Sequence, residues 1–402
     1  MNEAVLNIAV IGAGPVGLAL ALHAARALPR ASVTLFDTRP LDKDVSGDPR
    51  TLALSLGSVQ LLERLGAWHA DQAQSILEVH VSQQPPSLPA LIGDWLPEPE
   101  LRIRAIDEAV PLLGAVLSYG AIVAPLQQVW LAAEAREPHR LRSRFGTPVA
   151  ALKNLDDAVG GVEVDAGIAE RFDLAVTAEG GVFSTQVRKS LTHDYQQTAW
   201  VGRVTFEGAA GTRPQGVAYE RFTRHGPVAL LPLKSGGAGL VWCVPNNDDP
   251  VRDLDDAQRV TVLNSIFHSA VGRIASITPL KHFPLALNAE RTLTVGRTVR
   301  IGNAAQTLHP VAGQGLNLGL RDAYELVHSL SRNSDVGAVL RKLEWQRGPD
   351  RWAMIAATDF LARSFTWRLP GAGAARGLGI AALQALGPVK SALARQMMFG
   401  SR

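Results

Sequence analysis

The strongest constraint on this chain lies at its N-terminal end. Asn7 to Ile11 is a short apolar run. Gly12-Ala13-Gly14-Pro15-Val16-Gly17 follows, then a helical pattern from Leu18 to Leu28, then a second apolar run, Ser32 to Phe36, closed by Asp37. Strand, G-x-G-x-x-G, helix, strand and acid stand in that order. About twenty residues separate the last glycine from the acid, as in a dinucleotide-binding βαβ unit. Gly12 permits the tight turn, Gly14 lets a pyrophosphate approach the backbone, and Gly17 lets helix and strand pack closely. Asp37 can accept hydrogen bonds from a ribose diol. The other reading is a glycine-rich turn that binds nothing; the full context favours a nucleotide site. The expected fold is α/β, with a Rossmann-like domain.

A second glycine-rich segment lies almost 300 residues downstream. Thr298 to Ile301 reads as a buried strand. A loop runs from Gly302 and Asn303 through His309, Pro310 and Gly313, and a helix opens near Gly315. Bare backbone amides at a positive helix end suit an anionic group. A reduced flavin, negative on its pyrimidine edge, is such a group. Amides at Gly315, Leu316 and Asn317 would stabilise that charge.

At 402 residues the chain has room for two domains, or one with a large insertion, and 47% hydrophobic content supports a sizeable core. A net charge of +3 does not mark nucleic acid as a partner. Cys243 is the only cysteine, which excludes a disulfide framework and most cysteine-ligated metal sites; it reads as a small buried filler. No metal is expected. The N-terminal apolar residues are used by the first βα unit, so no signal peptide is read, and no run of about 18 residues suits a spanning helix. A cytoplasmic setting is expected.

The last 43 residues, from Phe360 on, hold no Asp or Glu but carry Arg363, Arg368, Arg376, Lys390, Arg395 and Arg402. Two apolar helical faces are predicted there, Gly379 to Leu386 and Val389 to Met398. Basic plus apolar suits docking on the inner face of an anionic membrane. A helical cap with its arginines in water is the alternative.

Residues 1–75, 105–185 and 287–330 are expected to form a discontinuous nucleotide domain. Residues 76–104 and 186–286 form an inserted, mostly antiparallel β-sheet domain for substrate, and 331–402 a helical C-terminal region. Pro85 to Pro99 reads as a proline-rich loop, Leu126 to Glu137 as a helix, and Phe172 to Thr177 as one strand. Apolar walls for a cleft between the domains are expected from Phe206, Phe222, Leu230, Leu231, Trp242 and Phe283, with plain core as the alternative. His309 beside a proline fits either an acid–base or a structural role. His80, His282 and Tyr219 are candidates to face the substrate.

Several segments together resemble a known family. Asp48-Pro49-Arg50-Thr51-Leu52-Ala53-Leu54-Ser55, Asp194 to Ala199, Ala304 to Asp322 and Gly387 to Arg395 resemble the FAD-dependent aromatic hydroxylases of the para-hydroxybenzoate hydroxylase type. More narrowly, they resemble the ubiquinone-biosynthesis hydroxylases that act on polyprenylated phenols. The resemblance covers nearly the whole chain. It implies FAD as cofactor, NAD(P)H as a transient reductant, and O2 as the source of the hydroxyl oxygen. It implies cofactor contacts from Gly12, Gly14, Gly17, Asp37, Arg50, Gln127, Glu179, Gly302, Asn303, Gly313, Gly315, Leu316 and Asn317. Pro310 would shape an oxygen pocket at the flavin edge. A polyprenyl substrate would give the basic tail a role at the bilayer or in a quinone-biosynthesis complex. The chain departs from the family at Glu179 (usually Asp), Ala124 (often Arg) and Gln306 (usually His). Two other readings stay open: an FAD oxidase or reductase, and a non-catalytic partner with a degenerate site.

Overall fold

Parallel strands bracket the first glycine turn. Asn7–Ile11 pairs in parallel with Ser32–Asp37 on one side and Leu174–Thr177 on the other. The coordinates are a computed structural model, which describes residues 6–84, 98–155, 160–180, 189–208, 215–267, 271–310, 313–364 and 371–400. The six-stranded sheet runs Thr294–Val295, Thr298–Arg300, Leu174–Thr177, Asn7–Ile11, Ser32–Asp37, Leu141–Phe145. All its neighbours are parallel except the first two, which form a hairpin edge. Helices Pro15–Ala27 and Gln314–Arg332 cover one face. Leu18, Leu20 and Leu22 of the first and Leu320 and Leu326 of the second share a core with Ile8, Val10, Val33, Leu35 and Val299. Each such side chain contributes roughly 1.5–3 kcal/mol by leaving water.

Two elements differ from the sequence reading. The segment expected as one strand from Phe172 to Thr177 is two: Ala169–Phe172 belongs to a three-stranded antiparallel sheet and Leu174–Thr177 to the six-stranded one. Asp173 makes the break, its carboxylate accepting from the Asn7 amide at 2.7 Å. The helix expected from Leu126 begins earlier, at Tyr119, and runs to Arg136 with Pro125 inside it. Pro125 falls in the second turn of this helix, where a proline removes one backbone hydrogen bond. Ser118 caps this start, its hydroxyl accepting from the Ala121 amide at 3.2 Å.

A nine-stranded sheet forms the second unit, ordered Gln306–Thr307, Lys281–Ala289, Leu191–Phe206, Ala238–Pro245, Pro227–Pro232, Val217–Phe222, Glu78–Gln83, Glu100–Arg104, with Ile274–Ile277 beside Leu191–Phe206. It is antiparallel except where Val217–Phe222 meets Glu78–Gln83. It runs past the expected edge at 286 and recruits Gln306–Thr307 from the second glycine segment. The longest strand carries a bulge between Asp194 and Gln197, where Gln196 has φ of 53°. A small sheet of Thr51–Ser55, Gly114–Ser118 and Gln74–Ile76 stands between the two large ones. Most of the expected proline-rich loop, 85–97, lies outside the described residues.

Helices Val336–Ser364, Ala372–Ala385 and Gly387–Phe399 complete the chain. A buried charge cluster ties the first and last of them to helix Gln314–Arg332. Arg347 pairs with Asp322 at 2.8 Å and Asp350 at 2.6 Å, Arg321 reaches Asp350 at 3.1 Å, and Gln396 donates to the same Asp350. Arg351 donates to the Gln306 amide oxygen at 2.6 Å, so the unusual Gln306 is an anchor for a buried arginine.

Candidate active site

The first glycine turn is closed by its own neighbours. Gly12 has φ of +105°, and a β-carbon there would stand 2.8 Å from the Glu179 amide nitrogen. Its own amide donates to the Phe36 carbonyl at 2.8 Å. Asp37 accepts from the Ala13 amide with one oxygen and from the Arg39 amide at 2.7 Å with the other. Arg39 was not singled out from the sequence. Its guanidinium donates to Gln127 at 3.0 Å and to the Ala13 carbonyl at 3.3 Å, so it links Gln127 to the turn. The Glu179 carboxyl is pushed upward from the ordinary range by partial burial and then by Asp37. Gly14 is the open member: the nearest atom to a β-carbon there is the Tyr119 hydroxyl, 3.7 Å away. The Arg50 guanidinium lies 4.1 Å over the Tyr119 ring and is held by Asp48 at 2.8 Å. Arg50, Tyr119 and Gly14 thus border one space. Helix Pro15–Ala27 begins there with no side-chain cap and no acid in its first turn, which leaves its positive end available to an anion.

The second segment packs directly on the first. A β-carbon at Gly319 would fall 2.7 Å from the Gly302 Cα and 2.9 Å from Val16 of the first turn. Asn303 sits against Gly180, beside Glu179. The loop ends at Gly313, with φ of 60°, and helix Gln314–Arg332 starts without a side-chain cap or an early acid. Among the described residues, no atom beyond its own chain neighbours and helix backbone lies within 4 Å of a β-carbon at Gly315. Asn317, expected to act through its amide, also works through its side chain. Its oxygen accepts from the Ser55 amide and the Ser58 hydroxyl, each at 2.8 Å, and its nitrogen donates to the Ala53 and Gly313 carbonyls, each at 3.1 Å.

His309 is buried, and its Nε2 meets the Gln197 amide oxygen at 3.0 Å. Gln197 donates through its own nitrogen to the Ala362 carbonyl at 3.4 Å. Its oxygen therefore faces the ring, and the imidazole carries its proton on Nε2. Burial draws the His309 pKa down to about 4. The ring is neutral and held as a spacer at neutral pH, which favours the structural role over acid–base work. Edge-on to it stands Tyr195, whose hydroxyl donates to Asp359 at 2.9 Å.

Between this loop and the nine-stranded sheet lies a cavity of about 330 Å³. Its walls come from Thr51–Ser55, from the loop (Leu308, His309, Pro310 and Gly313 to Asn317), from the sheet, and from Ala394, Met397 and Met398 of the last helix. Of the six apolar residues expected to line it, Leu231 does. Leu230 and Trp242 point to the opposite face and join a core with Val228 and Val244, because alternate strand residues face opposite sides. Phe206 packs against that same core, and Phe222 is buried beside Val81 and Leu361. Phe283 also lies off the cavity. Cys243 is buried, as expected. Two uncapped helix starts at open glycines, with an apolar chamber beside the second, suit a group with an anionic centre and a planar ring at its end. FAD is such a group, and the residues present fit it.

The comparisons agree with that geometry. The chain is 29% identical to the 3-demethoxyubiquinol 3-hydroxylase of Escherichia coli (strain K12), with 97% of each chain covered. It is 29% identical to the ubiquinone hydroxylase UbiL of Rhodospirillum rubrum, covering 98% of this chain and 90% of that one. The solved structure of Klebsiella pneumoniae HpxO complexed with FAD and uric acid shares the fold, with a TM-score of 0.70, 15% identity and coverage of 98% and 97%. Residues 5–338, which hold both glycine turns and most of the cavity wall, match one family description, and the chain belongs to the FAD binding domain family.

Proposed function

We propose that this protein is an FAD-dependent monooxygenase that hydroxylates a phenol ring bearing an apolar polyprenyl tail, in ubiquinone biosynthesis. The observation that carries it is the apolar cavity set against an uncapped helix start at Gly313–Gly315. The two full-length relatives, one named a 3-demethoxyubiquinol 3-hydroxylase and the other a ubiquinone hydroxylase, support the substrate class. FAD, reduced by NAD(P)H, supplies the centre that activates O2; one oxygen atom enters the ring and the other leaves as water.

The chain's own residues hold, orient and exclude water. Gly14 would receive the pyrophosphate at the helix start, with Gly12 turning the backbone and Gly17 packing the helix on its strand, and Asp37 would meet the ribose. Arg50 and Gln127 border that space, and Glu179, Gly302 and Asn303 lie between the two turns. Amides at Gly315, Leu316 and Asn317 would face the ring system, and Pro310, whose carbonyl accepts from the Gly313 amide at 2.9 Å, would shape the oxygen side without offering a proton. The buried, neutral His309 keeps that loop in place and dry.

The test is single-product mass spectrometry. The FAD-loaded protein, NADH or NADPH, labelled O2 and a 2-prenylphenol are expected to give one labelled oxygen on the ring. Consumption of NAD(P)H with no labelled product would instead make the protein an oxidase.

The same reading places the enzyme at a membrane surface, on the inner face. Leu378, Leu386, Val389 and Leu393 are exposed at 51%, 53%, 48% and 37% on the last two helices. Among the described residues no single helix is long and apolar enough to cross a bilayer, but these two pass that test together with a bend of 94°. Basic side chains and the lack of acids after Asp359 suit anionic lipid. Replacing Leu386, Val389 and Leu393 with Glu is expected to abolish pelleting with phosphatidylglycerol vesicles; unchanged pelleting rejects the docking surface.

A further inference from the structure

One wall of the chamber passes from inside to outside along a single helix. On Gly387–Phe399, the side chains of Ala394, Met397 and Met398 line the chamber. Ala394 and Met398 are buried, whereas Met397 is half-buried. Residues four apart on a helix lie one above the other on the same face. One turn back from Met397 stands Leu393, and one turn further back Val389; both are exposed. Val389, Leu393 and Met397 thus form an apolar stripe that begins on the chamber wall and ends in solvent. Each step along it climbs about 6 Å, roughly the length of one extended isoprene unit.

A long tail does not fit inside. At about 330 Å³ the chamber lies at the lower end of the range for small-molecule sites, roughly 300–1,000 Å³. Nor does a tail leave through the sheet. Ile103, Val79, Ala218, Leu231 and Val241 come from strands that neighbour one another in that order, and backbone hydrogen bonds close the space between them. The last helix offers the other way out. Methionine is unbranched and adapts to irregular apolar partners, which suits it to the threshold. We infer that Met397, Leu393 and Val389 form a binding track for the substrate's apolar tail, with one isoprene unit to each helical turn. The tail leaves the chamber past Met397 and lies along Leu393 and then Val389. The inference rests on the phenol reading above and adds to it the residues that measure the tail.

The experiment is run without lipid or detergent, so that membrane attachment does not enter. The FAD-loaded protein is given phenols whose ortho tail is a prenyl, geranyl or farnesyl group, and kcat/KM is measured for each. In the wild type each added isoprene unit is expected to raise kcat/KM on the order of 10-fold, through a lower KM. Leu393→Gln is expected to abolish the gain from prenyl to geranyl. Val389→Gln is expected to abolish only the gain from geranyl to farnesyl. Leu378→Gln, exposed on the preceding helix and off the stripe, is expected to keep both gains. Flavin content and thermal midpoint check that the variants are folded. Gains that survive in Leu393→Gln with normal flavin, or that vanish equally in Leu378→Gln, overturn the track. A wild type that hydroxylates the prenyl compound but gains nothing from longer tails also overturns it and leaves the phenol reading standing. A wild type that hydroxylates none of the three overturns both.

Discussion

The two glycine turns do related work but are held in place by different means. The first is fixed by its own backbone. Parallel strands on both sides set its register, Gly12 bonds to the next strand's carbonyl, and Gly17 is pressed so close that a β-carbon would meet the Gly12 carbonyl oxygen at 1.9 Å. The second is fixed by side chains that reach far along the sequence. Asn317 bonds to Ser55 across 262 residues and His309 to Gln197 across 112. A turn held by close backbone packing tolerates no added atom. A loop held by a few polar side chains tolerates atoms but not the loss of a partner.

Three substitutions separate these modes, in falling order of effect. Gly17→Leu forces the first helix off its strand. The expected cost is about 4 kcal/mol, with no flavin retained on purification. A yellow, stable variant would mean that the turn is not held by close packing. Asn317→Leu keeps the volume of the second site but strands the buried Ser55 amide and the Ala53 carbonyl. About 3 kcal/mol of stability is expected to go, read from the denaturant midpoint, with flavin bound but turnover reduced. A loss below about 1 kcal/mol would show that packing, not this side chain, holds the loop.

The third test is a pH series. Burial lowers the His309 pKa from 6.5 to about 4, so the folded state resists protonation that the unfolded chain accepts. Its contribution is complete above 6.5 and is lost as pH falls from there towards 4, to a total of about 3 kcal/mol. His309→Gln is expected to flatten that part of the stability curve. His23 is drawn down to about 4 as well, by burial and then Arg64, and His80 is also lowered by burial, so the variant keeps the part of the slope that these two supply. An unchanged curve would remove His309 from the account.

This contrast also explains what was legible in the sequence. The first turn reads from local spacing because every partner lies in one βαβ unit or the strand beside it. The second reads as a loop and a helix start, but what pins it does not: Ser55, Ser58 and Gln197 carry no local sign that they serve residues far downstream. Arg39 and Tyr119 escaped notice for the same reason. The apolar walls went wrong through strand phase. Leu230 and Leu231 are equal as composition, yet the two-residue period sends one to the core and the other to the chamber. The helix start at Tyr119 was hidden by Pro125, which sequence rules treat as a barrier and which this helix carries in its second turn.

The last helix has two jobs at once. Ala394, Met397 and Met398 are chamber wall, and Gln396 is wired into the buried Asp350 that also serves Arg321 on the helix leading from the second glycine loop. Its outer side carries the exposed Val389 and Leu393. Whatever tugs on that outer side strains the same rod that seals the reaction space. Clipping the chain at Gly387 would unplug the chamber as well as blunt its exterior, so single changes on the outward residues are the sharper instrument for telling grip from seal.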